Sequence, residues 1–152
     1  DDEIDIALIK ISQTSKDGVK TPAFATLELA GSKDLRPGDP VYTLGNPLGL
    51  GLAVSNGIVS AVGRVVDRYS LPCIMNTADI SQGSSGGALL NIYGHVVGVT
   101  SGAFTYGNNM YLAVPVDPVL EADWGADGFS FAEVDQAVRD KINSRALAED
   151  IP

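Results

Sequence analysis

The segment "ISQGSSGGALLN" (80–91) sets Ser84 and Ser85 among glycines, directly before an apolar run. A serine hydroxyl can attack a carbonyl carbon when it stands on a sharp, exposed turn. Backbone N–H groups must then aim at the oxygen that gains charge. Glycines on both sides of the serines let the backbone make that turn and approach a substrate closely. The competing reading is an ordinary Gly/Ser hairpin turn, and local composition alone favours it.

Four further residues carry chemistry of their own. Asp5 sits between Ile4 and Ile6, although aspartate is disfavoured inside strands. It is either a carboxylate with a task or a surface residue beside Asp1, Asp2 and Glu3. Asp79 lies six residues before Ser85 and is either a pocket anion or a solvated loop residue. His95 is the only histidine and Cys73 the only cysteine. Cys73 opens an apolar stretch and reads as a small buried hydrophobe.

Positioning these groups is the task of a chain of 152 residues with 45% hydrophobic and 19% charged residues. That is enough to bury one real core. A formal net charge of −9 argues against a nucleic-acid partner, which needs a basic face. One cysteine excludes an internal disulfide, and one histidine with no CxxC pair makes a metal site an unfavoured reading. No cofactor is implied. No apolar run reaches the length of a membrane helix, and no signal peptide is visible. The abrupt start in strand-like alternation leads us to expect material upstream of Asp1.

The β-branched stretch 4–11 predicts a strand, and residues 12–40 a long connection with one extended piece near 26–29. Six further strands are expected in "VYTLG" (41–45), "AVSNGIVSAVGRVV" (53–66), "CIMNTA" (73–78), "GALLN" (87–91), "HVVGVTS" (95–101) and "MYLAVPV" (110–116). Gly, Pro or Asn punctuates most of the breaks. Six short strands so spaced fit a small closed antiparallel barrel, which also removes exposed sheet edges. Residues 118–152 read as loop and then an amphipathic helix near 131–145, opened by the capping box Ser130-Phe131-Ala132-Glu133. Trp124 reads as an anchor of that loop.

"GSSGGALLN" followed by "GHVVGV" resembles the Gly-x-Ser-Gly-Gly signature of chymotrypsin-fold serine proteases. The resemblance to the bacterial HtrA/Deg branch spans more of the chain, through "DIALIKI", "LRPGDPVYTLGNPLGL", "VSNGIVSAVGR" and "YLAVPVD" in that order. It implies an all-β fold, a six-stranded antiparallel Greek-key barrel of chymotrypsin type with a C-terminal amphipathic helix. Residues 1–11 would be the last strand of a first barrel lying outside this chain, 12–40 the inter-barrel connection, and 41–117 the second barrel.

Carried over by position, the resemblance implies Ser85 as nucleophile and Asp5 as the acid that orients a histidine. The Gly83 and Ser85 amides would form the oxyanion hole, and Ser84 is the spacer. His95 does not supply the base. At about 3.3 Å per residue it lies on the order of 15 Å from Ser85, at the far end of a hairpin. The family places its histidine upstream of the aspartate, so the chain alone is expected to be inactive. A pseudoprotease serving as a peptide-binding module is the alternative. Asp79 falls where trypsin-like enzymes hold the anion that receives a substrate Lys or Arg, although Met110 and Tyr111 could close that pocket with their bulk. "VTSGA" (99–103), with Ser101 at its centre, would offer an edge for pairing a substrate strand. The implied partner is a protein or peptide substrate. A separate first-barrel segment and an oligomer both stay open, and the implied location is the bacterial cell envelope or the exterior.

Overall fold

A computed structural model describes residues 6–9, 18, 24–66, 72–103 and 109–121. The chain divides into two compact units, Asp1–Glu121 and Ala122–Pro152, and the described residues belong to the first. The expected helix near 131–145, Trp124 and Asp5 lie outside the described residues.

Six strands form where the alternation places them. They are β1 (Pro40–Gly45), β2 (Ala53–Arg64), β3 (Cys73–Asn76), β4 (Ala88–Leu90), β5 (Val96–Ala103) and β6 (Tyr111–Pro115). A short helix α1 (Asp117–Glu121) follows. Every strand pair is antiparallel, and the order β1-β2-β3-β6-β5-β4 closes on itself. This is the expected chymotrypsin-type barrel. In β1, Val41 and Thr43 point inward and Tyr42 outward, the period of two that a half-buried strand requires. Register shifts after Val59 and Ala61 let the 12-residue β2 bend around the barrel.

The strand order has one consequence for function. β3 pairs with β2 and β6, whereas β4 pairs with β1 and β5. The chain must therefore cross one end of the barrel between β3 and β4, and residues 77–87 make that crossing. Its first turn is tied to β2 by Thr77 N–H to Ile58 O at 3.0 Å and Ile58 N–H to Thr77 Oγ1 at 3.0 Å. Buried Asn76 accepts from Ala78 N–H at 3.0 Å, which satisfies its side-chain oxygen.

Val41, Val59, Ile74, Ala78, Leu89, Val97 and Ala113 form the main core, and Ile6, Cys73, Leu112 and Val114 a second cluster. Glu28 and Ala30 bond to Val96, so Leu29 forms a parallel bridge beside β5, matching the extended piece expected near 26–29. Of the strand expected over 4–11, only residues 6–9 are described. Residues 6–9 are outside any strand, because β-branched sequence becomes strand only where a neighbour supplies a ladder.

Leu89 is fully buried at the centre of the core. Leu89→Ala is expected to lower the unfolding free energy in urea by about 2–5 kcal/mol with an unchanged m-value. A loss under about 1 kcal/mol would remove Leu89 from the structural core.

Candidate active site

The crossing segment ends in a compact loop built on glycine. Ser84 N–H donates to Ser81 O at 2.9 Å, closing a β-turn over residues 81–84. Gly83 holds the third position with φ +94°, as a type II turn demands. A Cβ there would also sit 2.8 Å from Asn46 O. Gly87 excludes a side chain through packing alone, since its Cβ would collide with the Leu44 carbonyl oxygen and press on Ser84 O. Both positions exclude side chains because backbone packs on backbone.

The two serines separate cleanly. Ser84 is buried at 7% exposure and packs over Gly45. Its carbonyl accepts from Gly87 N–H at 3.0 Å and from the Thr100 hydroxyl at 2.6 Å. Ser85 is exposed, and its hydroxyl donates to Ser101 O at 3.2 Å on β5. Gly86 N–H to Thr100 O at 2.7 Å and Thr100 N–H to Gly87 O at 2.8 Å fasten the loop along the same strand. Among the described residues no hydrogen bond occupies the Gly83 or Ser85 amide. The loop thus presents one exposed hydroxyl beside two amides without acceptors.

His95 stands elsewhere. It faces Asn91 across the turn that joins β4 to β5, with its N–H on Asn91 Oδ1 at 3.0 Å. Its ring lies 3.6 Å from a Glu28 carboxylate oxygen. Thr100, opposite Gly86, is five residues further along β5, which is about 16 Å at 3.3 Å per residue. Cys73 is fully buried, and burial pushes its thiol up, away from the thiolate that reactive cysteines use.

Asp79 is exposed and lines a cavity of about 460 Å³. Pro47, Val54, Ile80, Ser84 and Tyr111 contribute to its walls. Among the described residues neither Ser85 nor Ser101 lines it. The Tyr111 hydroxyl donates to Asp79 Oδ1 at 2.7 Å. Tyr111 therefore engages the carboxylate as well as forming wall. The main-chain oxygen of Asp79 accepts from Thr43 Oγ1 at 3.2 Å. No group of three or more metal-ligating side chains occurs among the described residues.

The comparisons with known proteins agree with the barrel fold. The family model described as Trypsin-like peptidase domain matches residues 1–99. The chain belongs to the trypsin-like peptidase family. Its relatives include the periplasmic pH-dependent serine endoprotease DegQ of Escherichia coli, 41% identical over 103 residues, 66% of this chain and 21% of that protein. The serine protease PepD of Mycobacterium tuberculosis is 36% identical over 144 residues, 89% of this chain and 28% of that protein. Among solved structures, the HtrA-type protease AlgW with a decapeptide is 33% identical with a TM-score of 0.59, covering 62% of this chain and 31% of AlgW. The serine endoprotease from Yersinia pestis is 28% identical with a TM-score of 0.57, covering 68% of this chain and 36% of that one. The trypsin-like chain thus resembles HtrA/Deg proteases while spanning between 21% and 28% of the length of these two curated relatives.

Sequence reasoning missed two parts of the site. Thr100 is a buried polar residue within the β5 run "VVGVT", and a lone hydroxyl in an apolar strand is a legible sign of a buried acceptor. The Tyr111–Asp79 bond joins residues 32 apart in sequence and carries no local signal.

That hydrogen bond to Asp79, with smaller contributions from desolvation and the carboxylate's charge, raises the Tyr111 hydroxyl above the usual tyrosine range. The proton is held more tightly in the folded state. Any stability it contributes is present below the ordinary tyrosine value and fades as pH rises through the raised one. Site-specific NMR titration is expected to find Tyr111 ionising above the ordinary tyrosine value, and Asp79→Ala to bring it back toward that value. A Tyr111 titration unchanged by Asp79→Ala would dismiss the pair.

Proposed function

We propose that this chain supplies the nucleophile, the oxyanion hole and the orienting acid of a serine endopeptidase of HtrA/Deg type. The observation that carries the reading is the exposed Ser85 hydroxyl on a loop that leaves the Gly83 and Ser85 amides without acceptors. In this reading a histidine from outside these residues takes the Ser85 proton as Oγ attacks the scissile carbonyl. The oxyanion settles on the two amides, each worth about 3 kcal/mol in the transition state. Collapse expels the amine, which receives that proton, and water then hydrolyses the acyl-enzyme. Asp5 orients the histidine and stabilises its imidazolium. Without a base a serine hydroxyl is a poor nucleophile, so the 152 residues alone are inactive in this account. The substrate backbone pairs along β5 at Ser101 in the manner of an added strand. The periplasmic placement printed for DegQ supports an envelope location for the parent protein.

A fluorophosphonate probe is expected to label Ser85 in the longer polypeptide that carries the histidine, and to fail on Ser85→Ala. An intact, folded parent that takes up no probe would sink the catalytic reading in favour of a peptide-binding module.

Asp79 is proposed as the anion that selects basic side chains. Supporting this, the apolar walls at Pro47, Val54 and Ile80 suit an aliphatic stem. Tyr111 engages Oδ1, and Oδ2 is the oxygen assigned to a cation. An apolar side chain would leave the carboxylate desolvated and unpaired. Asp79→Ala is expected to abolish cleavage after Lys and Arg in a peptide library. Retained cleavage there would take Asp79 out of substrate selection.

A further inference from the structure

A carboxylate receives lysine and arginine by different geometries. A guanidinium is a planar fork that binds best through two parallel N–H bonds, one to each carboxylate oxygen. An ammonium is a compact point charge whose three donors spread in space. It needs one charged oxygen and further acceptors around it. What already occupies the Asp79 carboxylate therefore bears on which cation it receives.

That residue is held from two sides. Thr43 Oγ1 on β1 donates to the Asp79 main-chain oxygen at 3.2 Å, and the Tyr111 hydroxyl on β6 donates to Oδ1 at 2.7 Å. Tyr111 is no loose flap. It pairs with Asn76 of β3 on one side and Ala103 of β5 on the other. The fully buried Asn76 also donates its side-chain amide N–H to Tyr111 O at 3.4 Å. Oδ1 is thus engaged by a fixed strand, and the two carboxylate oxygens are not equivalent.

The Tyr111 hydroxyl brings an acceptor as well as a donor. With its proton given to Oδ1, its oxygen keeps lone pairs for a second donor. Asp79 and Tyr111 line the cavity together, with Ser55 and Ser81 in the same lining. Asp79 Oδ2 and the tyrosine oxygen make a notch of one charged and one neutral acceptor, which suits an ammonium. A guanidinium seated on Oδ2 finds Oδ1 already oriented by Tyr111, and the second arm of its fork competes with the tyrosine proton. A desolvated N–H without a good acceptor weakens binding.

We propose that Tyr111 is a specificity-determining residue that favours lysine over arginine: its hydroxyl takes Oδ1 from the guanidinium fork and offers its own lone pair to the lysine ammonium. The inference rests on the proposed role of Asp79 and names the cation that this role selects.

The test uses the longer polypeptide that carries the histidine and matched peptides that differ only in Lys or Arg before the scissile bond. Wild type is expected to show a kcat/KM about 10-fold higher for the lysine peptide, the worth of one hydrogen bond to a charged group. Tyr111→Phe keeps the ring and removes the hydroxyl. It is expected to lower kcat/KM for lysine and raise it for arginine, bringing the ratio to about one or below. A ring that served only as wall would change both substrates alike, and a ratio taken within one preparation does not depend on the folded fraction. Inhibition of wild type by butylamine and butylguanidine reads the same preference without a variant, and the amine is expected to bind tighter. Equal or arginine-favouring rates in wild type, tighter binding of the guanidine, or a ratio that Tyr111→Phe leaves in place would each overturn the role of Tyr111. Wild type that cleaves after neither cation, or Asp79→Ala that keeps both cleavages, overturns the Asp79 reading and this one together. Equal cleavage after both, abolished by Asp79→Ala, overturns the role of Tyr111 alone.

Discussion

The bond from the Thr100 hydroxyl to the Ser84 carbonyl, at 2.6 Å and with Thr100 only 2% exposed, is the fixture on which the loop depends. A buried carbonyl left unpaired costs about 1–3 kcal/mol, and the Thr100 hydroxyl together with the Gly87 N–H satisfies this one and keeps Ser84 down. With Ser84 buried over Gly45, the next residue must rise out of the turn. Ser85 is exposed for that reason. The same strand residue accepts from Gly86 and donates to Gly87, so one turn of chain is held from below by β5. On the other side, backbone from residues 46–48 packs against Gly83. The loop is clamped between β5 and the β1–β2 connection, and its glycines mark where the clamps close.

Barrel topology explains why the clamp exists at all. Because β3 and β4 have no common edge, the connection between them must cross the end of the barrel. A crossing segment over a closed end meets backbone from several strands at once. Hydrogen bonds to β2 through Thr77 and to β5 through Gly86 and Gly87 anchor both ends of it. The same closure puts His95 at the opposite end of the β4–β5 hairpin. A histidine ten residues from Ser85 in sequence is thus kept away from it in space, because an antiparallel strand carries the chain away before the turn brings it back.

Much of the fold was legible because it rests on local pattern. Val41 and Thr43 alternate with Tyr42, and turn residues punctuate the strands, so six strands could be placed within a few residues of their observed ends. Pattern is silent on pairing at residues 6–9, which look like strand in sequence and lie outside any strand here. Strand identity there depends on a neighbour, and alternation cannot report whether one is present. At the site, Gly83, Ser85 and Gly87 were legible because their spacing is short and their types are unusual. The partners of Thr100, Tyr111 and Leu48 were not, since each lies at least 16 positions away along the chain.

The sequence by itself determined which residues could do chemistry: a serine among glycines, carboxylates at positions 5 and 79, and a single histidine too distant to help. It also determined the barrel, because alternation and turns act over a few residues. Tertiary structure decided which serine is exposed, what holds the turn beside it, and which hydroxyl engages Asp79. Those outcomes follow from backbone groups meeting across the barrel. A hydrogen bond between Leu48 and Gln82 joins residues 34 apart along the chain, and it leaves no periodic trace. Side-chain pattern encodes faces and turns; it does not encode which carbonyl meets which amide once the barrel has closed.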